Sequence, residues 1–246
     1  MPFLNSAPFF RGLTLGGGIE LVDLAPRALG EQAAAGTLLA GLLPLADYLR
    51  LEDRFERIGP FGIAVRGRAQ SVMLFSRRPI LQLDGATIAV TEETSTSAVL
   101  LRLLLEQRHR VAPAHYARGQ DPAADALLLI GDEALRFRRA NARYPYETDL
   151  AFEWWTWQHL PCVFAVWAVR RDAPAAEKRQ LELALSGTLG RNVGDLAAIA
   201  QERAAGLDLP APDLAAYLGS FIYRLSQPEE AGIQRFRELV HAHHLL

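Results

Sequence analysis

The stretch Ile88-Ala89-Val90-Thr91-Glu92-Glu93-Thr94-Ser95-Thr96-Ser97 joins an apolar run to a polar turn and decides the fold. Its apolar part follows the turn signal Asp84-Gly85 and predicts a strand over 86–90. Apolar residues then recur at helical spacing and predict a helix to about His109, namely Val99, Leu100, Leu103 and Leu104. The stretch therefore predicts a strand, a turn of small hydroxyl residues and a helix start that Thr94 or Ser95 can cap.

Two more polar turns end apolar runs in the same way. They are Phe3-Leu4-Asn5-Ser6-Ala7-Pro8-Phe9 and Gly67-Arg68-Ala69-Gln70-Ser71-Val72. Small hydroxyl and amide side chains beside the backbone N–H groups of a helix start bind anions, and carboxylates in particular, without a metal or a lysine. The three turns together predict that the protein binds a small organic acid.

Around these turns, strands alternate with helices. We predict strands at 37–44, 60–66, 71–76, 125–130 and 162–169, and helices at 21–35, 133–138 and 150–159, the last capped by Asp149. From Pro174 to the end the pattern predicts helices alone, and the last opens with a capping box at Ser226-Gln227-Pro228-Glu229. Short connections between alternating strands and helices indicate an α/β fold with a largely parallel sheet.

Composition narrows the class of protein. The 246 residues suffice for two modest α/β domains or one large one, and half of them are apolar. Lys+Arg 26 against Asp+Glu 28 gives a formal charge of -2, which argues against a nucleic-acid partner. The single cysteine, Cys162, excludes an intramolecular disulfide. Together with the lack of a secretory signal or a membrane-spanning run in this sequence, it favours a cytoplasmic protein.

Six segments of the sequence occur in a distinctive order. They are residues 3–9, 67–76, 88–97, Leu128-Leu129-Ile130-Gly131-Asp132-Glu133-Ala134-Leu135, Asp149-Leu150 and 154–170. In order and spacing they resemble the chorismate dehydratases of the futalosine route to menaquinone, and the helical tail resembles them more loosely. Such chains usually carry a short strand before the Leu-Asn motif, whereas Met1-Pro2 stand almost directly before it here. We therefore expect a shortened first strand or a start that lies further upstream.

The resemblance implies a fold and an activity. The fold is expected to be α/β and two-lobed, like a type II periplasmic binding protein, with a cleft between the lobes and a helical C-terminal tail. Residues 1–75 and 165–246 are expected to form lobe I, and residues 76–164 lobe II. The expected activity is dehydration of chorismate to 3-[(1-carboxyvinyl)oxy]benzoate with no cofactor and no metal. The expected partner is chorismate, not nucleic acid or a membrane, and a homodimer is left open.

Chorismate carries two carboxylates and a ring hydroxyl, so its site needs carboxylate donors. Loss of the hydroxyl with the neighbouring ring proton makes the ring aromatic, through a dienolate that hydrogen bonds to the ring carboxylate would stabilise. We assign catalytic roles to Asn5 and Ser71, and substrate contacts to Ser6, Thr96, Ser97, Gly131 and Asp132. Local alternatives stay open, because Asn5 and Ser71 are also common turn residues and Thr96 and Ser97 also suit a helix cap.

The sequence offers no clear proton acceptor. Glu92 and Glu93 flank a polar turn, where a charged pair is usually solvated, and Asp132 could equally cap the helix that follows it. The six histidines lie at helix ends, in a loop or in the tail without ligand spacing. We therefore hypothesise that the enolpyruvyl carboxylate of the substrate takes the proton, oriented by Asn5 and Ser71.

Two other functions compete with this one. The first is a solute-binding protein without catalysis, which the lack of an export signal disfavours, since the fold alone does not decide function. The second is the sister enzyme that forms a dihydroxynaphthoate, whose start motif differs from residues 3–9. We expect the aromatic residues of 152–157 to pack in the core. For a few of them, a position on the wall of the cleft stays an alternative. Gly16-Gly17-Gly18 is expected to be a turn, because it lacks the lysine of a phosphate loop.

Overall fold

The computed structural model of the chain describes residues 3–16, 18–119 and 121–246. The expectations about Met1-Pro2 and about Gly17 therefore fall on residues outside the described ones. Within the described residues, two β-sheets organise the chain into two lobes. We call the lobe built on the first sheet lobe I and the lobe built on the second sheet lobe II.

The sheet of lobe I has four strands. Their spatial order is β1 (Ala40–Pro44), β8 (Cys162–Arg170), β2 (Phe55–Val65) and β9 (Phe221–Arg224). Every neighbouring pair is antiparallel, with Leu42 opposite Trp167 and Val65 opposite Phe221. The short helix α3 (Leu45–Arg50) follows β1 directly and leads into β2 of the same sheet.

The sheet of lobe II has five strands. Their order is β5 (His115–Arg118), β4 (Thr87–Val90), β6 (Ala126–Ile130), β3 (Val72–Ser76) and β7 (Tyr146–Asp149). β4 is parallel to both of its neighbours, and β3 is antiparallel to both of its neighbours. The prediction of a largely parallel sheet is therefore wrong. A chain that crosses between two sheets can re-enter a sheet from either end, so alternation of helices and strands along the sequence does not fix strand direction.

Helices connect the strands in the first part of the chain. They are α1 (Ala7–Phe10), α2 (Pro26–Ala35), α4 (Thr96–Arg102), α5 (Gly131–Ala140) and α6 (Leu150–Gln158), and a π-helical segment, Leu103–His109, continues α4. Asp149 caps α6 by accepting hydrogen bonds from the N–H groups of Ala151 and Phe152, which confirms the predicted cap. α2 begins later than predicted, at Pro26, because proline suits the first helical position.

Four helices follow β8, but they are not the only elements there. They are α7 (Ala175–Val193), α8 (Leu196–Leu207), α9 (Ala211–Gly219) and α10 (Gln227–Ala242). The prediction of helices alone after Pro174 is wrong at β9, whose four residues pair with β2 and so complete the sheet of lobe I. The predicted capping box of α10 is confirmed, since Ser226 and Glu229 exchange the two expected hydrogen bonds.

The chain passes from lobe I to lobe II over residues 66–71 and returns over 150–161, through α6. β3 pairs along its whole length with β6, and β8 pairs with β1 and β2. The expected boundaries after residues 75 and 164 consequently fall inside β3 and β8. Strand pairing places all of β3 in lobe II and all of β8 in lobe I, because a strand belongs to the sheet that binds its backbone.

One buried apolar cluster extends through both lobes and includes Phe9, Phe61, Leu74, Leu100 and Trp154. A smaller cluster covers the other face of the lobe II sheet. The shared core holds the lobes against each other around the cleft. Among the described residues, no helix combines the length and the apolar character needed to cross a membrane.

Candidate functional site

A small cavity lies where the two lobes meet. Its volume is about 50 Å³. Lobe I lines it with Phe3, Asn5, Pro26, Pro44, Ile63, Phe164 and Ala165, and lobe II with Val72, Thr94, Ser95, Thr96, Ser97, Ile130 and Gly131. None of these lining residues carries a charge. The cavity therefore combines apolar walls with neutral hydrogen-bonding groups.

Asn5 reaches this cavity from a 3-10 turn, Leu4–Ser6, at the start of the described chain. The turn is fixed to lobe II, because the Leu4 N–H donates a buried hydrogen bond of 2.8 Å to Oδ1 of Asp132. Within the described residues, no hydrogen bond occupies the Asn5 side chain. Its amide is therefore available to a ligand between the lobes.

Thr96 and Ser97 reach the cavity from the start of α4, but their hydroxyls differ in availability. The Thr96 Oγ1 accepts a 3.1 Å hydrogen bond from the Ala46 N–H, which ties α4 of lobe II to α3 of lobe I. The buried Ser97 hydroxyl has no hydrogen-bond partner among the described residues. Ser97 is thus the hydroxyl best placed to bind a ligand, and Thr96 joins the lobes.

The predicted cap of this helix is not formed. Ser95 stands at the N-cap position of α4, yet its side chain makes no capping hydrogen bond. It faces Asp47 instead, whose carboxyl is buried at the contact between α3 and α4. Burial raises the pKa of the Asp47 carboxyl, against the opposing effects of the Ser95 hydroxyl and the Arg50 charge.

Gly131 closes the lobe II side of the cavity and begins α5. Its φ of +59° lies in the left-handed region, and a Cβ at this position would stand 2.7 Å from Cδ1 of Phe3. The Gly131 N–H donates a 2.7 Å hydrogen bond to the Ser71 carbonyl. Glycine is therefore required here both for its backbone conformation and for the close approach of the Phe3 ring.

Three of the predicted site residues do not line the cavity. Ser71 is fully buried, and its Oγ accepts a 2.7 Å hydrogen bond from the Tyr217 hydroxyl. The Ser6 hydroxyl donates to the Phe3 carbonyl at 2.7 Å, so it stabilises the turn that carries Asn5. Asp132 uses both carboxylate oxygens, accepting from Leu4 through Oδ1 and pairing with Arg203 at 3.3 Å through Oδ2. The roles assigned to all seven residues stay predictions.

Asp132 neither caps α5 nor faces the cavity. Burial raises the pKa of its carboxyl, while the Leu4 N–H and the Arg203 charge act in the opposite direction. Glu93 lies close enough to Asp132 and Glu133 to feel their charges, and burial raises the pKa of the Glu93 carboxyl. Glu92 is exposed. The described residues thus place no carboxylate on the cavity wall, and they contain no group of three His, Cys, Asp or Glu that could hold a metal ion.

Sequence reasoning missed the apolar walls of the cavity. Pro44, Ile63 and Phe164 lie at or near strand ends, and their sequence context is that of any buried strand. The pattern contains no signal that separates a wall of the cleft from the core. The aromatic residues of α6 are absent from the cavity lining, and Trp154 packs instead against Trp157 and Phe236.

Sequence comparison decides the family. The model of a family described as menaquinone biosynthesis matches residues 1–242 of the chain. The chain belongs to this family. A chorismate dehydratase of Thermus thermophilus is 32% identical over 255 residues, an alignment that covers 96% of this chain and 92% of that relative. The resemblance stated from the motifs is therefore confirmed.

Solved structures show the fold of this menaquinone-biosynthesis family member. A crystal structure of a protein from Archaeoglobus fulgidus has a TM-score of 0.76 at 17% identity, over 100% of this chain and 96% of that one. The alkanesulfonate-binding protein from Xanthomonas axonopodis pv. citri, bound to MOPS, has a TM-score of 0.63 at 17% identity, over 99% and 87%. The ligand-binding component of an ABC-type import system from Staphylococcus aureus has a TM-score of 0.61 at 12% identity, over 99% and 87%. These similarities confirm the predicted periplasmic-binding-protein-like fold, and they bear on the fold alone.

Proposed function

We propose that this member of the menaquinone-biosynthesis family dehydrates chorismate to 3-[(1-carboxyvinyl)oxy]benzoate in the cavity between its lobes. The observation that carries the proposal is the 32% identity to a chorismate dehydratase across 96% of the chain. The chemistry of the cavity supports it. Apolar walls suit a six-membered carbon ring, and neutral donors at two of its sides suit the two carboxylates of a dianion.

The cavity must widen to admit this substrate. Its volume of about 50 Å³ is well below the roughly 300–1,000 Å³ of small-molecule sites. Contacts such as the Ala46 N–H to Thr96 Oγ1 bond hold the lobes together in the present form. We propose that the lobes separate to admit chorismate and then close over it, which excludes water and strengthens each hydrogen bond to the carboxylates.

The reaction breaks one C–H and one C–O bond of the ring. The proton leaves the carbon that carries the enolpyruvyl ether, and its electron pair moves into the conjugated ring carboxylate as a dienolate. The dienolate then expels the neighbouring hydroxyl, which takes up a proton and leaves as water, and the ring becomes aromatic. Asn5, Ser97 and the backbone N–H groups at the start of α4 are the groups proposed to hold the developing negative charge.

We propose that the enolpyruvyl carboxylate of the substrate takes the ring proton. The absence of charged residues from the described cavity wall supports this, and Asp132 already binds Leu4 and Arg203. Replacing Asp132 by Asn tests it, because the amide retains an oxygen for the Leu4 N–H but cannot accept a proton as a base. We expect turnover to persist in Asp132→Asn. Loss of turnover with intact chorismate binding would identify Asp132 as the proton acceptor instead.

Incubation of the pure protein with chorismate tests the function itself, with product separated by liquid chromatography and identified by mass. We expect loss of one water per chorismate and a product with a benzene-ring absorbance. A protein that shifts its melting temperature with chorismate but releases nothing new would be a binding protein. A protein inert to chorismate that converts the cyclised futalosine intermediate would be the sister enzyme, and either outcome refutes the proposal.

The cellular compartment and the partners of the protein are also proposals. Cys162 is free and buried, which is in keeping with a reducing compartment, so we propose the cytoplasm. Chorismate is the proposed partner, and neither nucleic acid nor a membrane is proposed as one. A homodimer stays a prediction.

A further inference from the structure

The helical C-terminal region contacts one of the proposed catalytic residues directly. Tyr217, on α9, carries its hydroxyl to 2.7 Å from the Ser71 Oγ, across 146 residues of sequence. Both side chains are buried. The Tyr217 ring is held by an edge contact with the ring of Phe221 on β9, at 5.0 Å between centroids. The phenol is therefore fixed in place against Ser71.

The direction of this hydrogen bond follows from what else each hydroxyl can reach. Within the described residues, Ser71 is the only hydrogen-bond partner of the Tyr217 hydroxyl. A buried phenol that did not donate to Ser71 would leave its O–H hydrogen unpaired at a cost in free energy. Burial raises the pKa of Tyr217 well above its usual range, and the nearby charges of Asp132 and Asp149 act in the same direction. Tyr217 therefore stays protonated and donates.

A donating Tyr217 leaves the Ser71 hydrogen free for another acceptor. The acceptor available in the present form is the Ala69 carbonyl at 3.4 Å, which is long for a bond between two oxygens. Ser71 is also held through its backbone, because its carbonyl accepts from Gly131, which lines the cavity. The Ser71 backbone is thus tied to a residue of the cavity wall, and its hydroxyl proton is weakly held.

We propose that Tyr217 is a positioning residue for the dehydration, one that orients the Ser71 hydroxyl so that it donates to a substrate carboxylate when the lobes open and close. This inference rests on the proposed function. It gives the C-terminal helices a part in the chemistry, because the phenol that sets the Ser71 proton comes from α9. Tyr217 itself does not line the cavity and acts through Ser71 alone.

The test removes one oxygen from the buried aromatic cluster at a time. Tyr217→Phe deletes the donor to Ser71, and we expect kcat for chorismate to fall about tenfold with KM within about twofold of wild type. Tyr223→Phe is the matched control, since Tyr223 is also buried but donates to the Leu218 carbonyl at 3.2 Å. We expect wild-type kcat for the control, and melting temperatures of both variants within a few degrees of each other.

A double-mutant cycle separates positioning from a structural effect. If Tyr217 acts through Ser71, Tyr217→Phe has no further effect on kcat in a Ser71→Ala background. Equal losses in both backgrounds, or an unchanged kcat in Tyr217→Phe, would overturn the inference. So would an unchanged kcat in Ser71→Ala, although the proposed function would survive that result. Failure of the wild-type protein to dehydrate chorismate would instead refute the proposed function, and the inference with it, before any variant is compared.

Discussion

The contact between Asp132 and the N-terminal turn makes a prediction about both stability and binding. Asp132→Ala removes the acceptor of the buried 2.8 Å hydrogen bond from the Leu4 N–H, which leaves that donor unpaired at a cost of about 1–3 kcal/mol. The same variant loses the pair with Arg203. Because the Arg203 side chain is 41% exposed, that loss adds only about 0–1 kcal/mol. We expect the free energy of unfolding to fall by about 1–4 kcal/mol in total.

Asp132→Asn separates the two contributions. The amide oxygen of this variant can still accept from the Leu4 N–H. Loss of the charge also removes the cost of burying a carboxylate, the same cost that raises the pKa of Asp132. We expect this variant to lie within about 1 kcal/mol of wild type. Asp213→Ala is the control, because Asp213 also stands in the first turn of a helix, α9, but is exposed. It should cost about 0.3–1 kcal/mol through the helix dipole alone.

Urea denaturation of the three variants, followed by circular dichroism, measures these differences. Chorismate KM is measured in parallel, and we expect it to rise in Asp132→Ala because the turn that carries Asn5 loses its tie to lobe II. The reasoning is refuted if Asp132→Ala is no less stable than Asp213→Ala. It is also refuted if the Asn and Ala variants at position 132 are equally destabilised, since the hydrogen bond to Leu4 would then contribute nothing.

Three further predictions concern the rest of the site. Gly85→Ala should cost about 1–2 kcal/mol, because residue 85 has a positive φ but open space where a Cβ would stand. Gly131→Ala should destabilise the fold by more, because the Phe3 ring stands where the new methyl group would lie. Equal losses in thermal melts would contradict this. Thr96→Val should lower the free energy of unfolding by about 1–3 kcal/mol, because the buried Ala46 N–H loses its acceptor. Ser97→Ala should stay within about 0.5 kcal/mol of wild type in stability and raise the KM for chorismate. The reverse pattern in urea melts and kinetics would show that Thr96 does not join the lobes and that Ser97 does not bind the substrate. Burial raises the pKa of the Asp47 carboxyl, so the folded protein binds a proton at Asp47 more readily than the unfolded chain does. The ionised, buried Asp47 carboxylate therefore lowers the free energy of unfolding at neutral pH. This loss of stability disappears as the pH falls through the raised pKa towards the ordinary carboxyl pKa. Asp47→Asn should therefore gain more stability relative to wild type at pH 7 than at about pH 4, and a difference that is independent of pH would count against it.

Much of the secondary structure could be predicted from local signals in the sequence. Asp149 before an apolar helix and the Ser226 capping box each act within one turn of a helix, so the local sequence contains their whole cause. β9 could not be found in this way. Its four residues, Phe221–Arg224, are a strand because β2 lies beside them, and that neighbour comes from far away in the sequence.

The sequence predicted several residues of the cavity but not which of them have side chains free to bind a ligand. Asn5, Ser97 and Gly131 lie in turns with recognisable sequences, and the fold brings them to one cavity. Nothing in the local sequence distinguishes Ser97 from Thr96, yet only Thr96 meets a backbone N–H of the opposite lobe. Ser71 and Asp132 have the chemistry of site residues, and distant partners on α9 and α8 occupy their side chains.

The most direct measurement is a crystal structure of the protein grown with 3-[(1-carboxyvinyl)oxy]benzoate. The account predicts the aromatic ring between the apolar walls of the two lobes, with carboxylate oxygens at about 2.7–3.2 Å from the Asn5 amide and the Ser97 hydroxyl. A ligand bound outside the interlobe cavity, or one whose carboxylates meet neither of these groups, would contradict it.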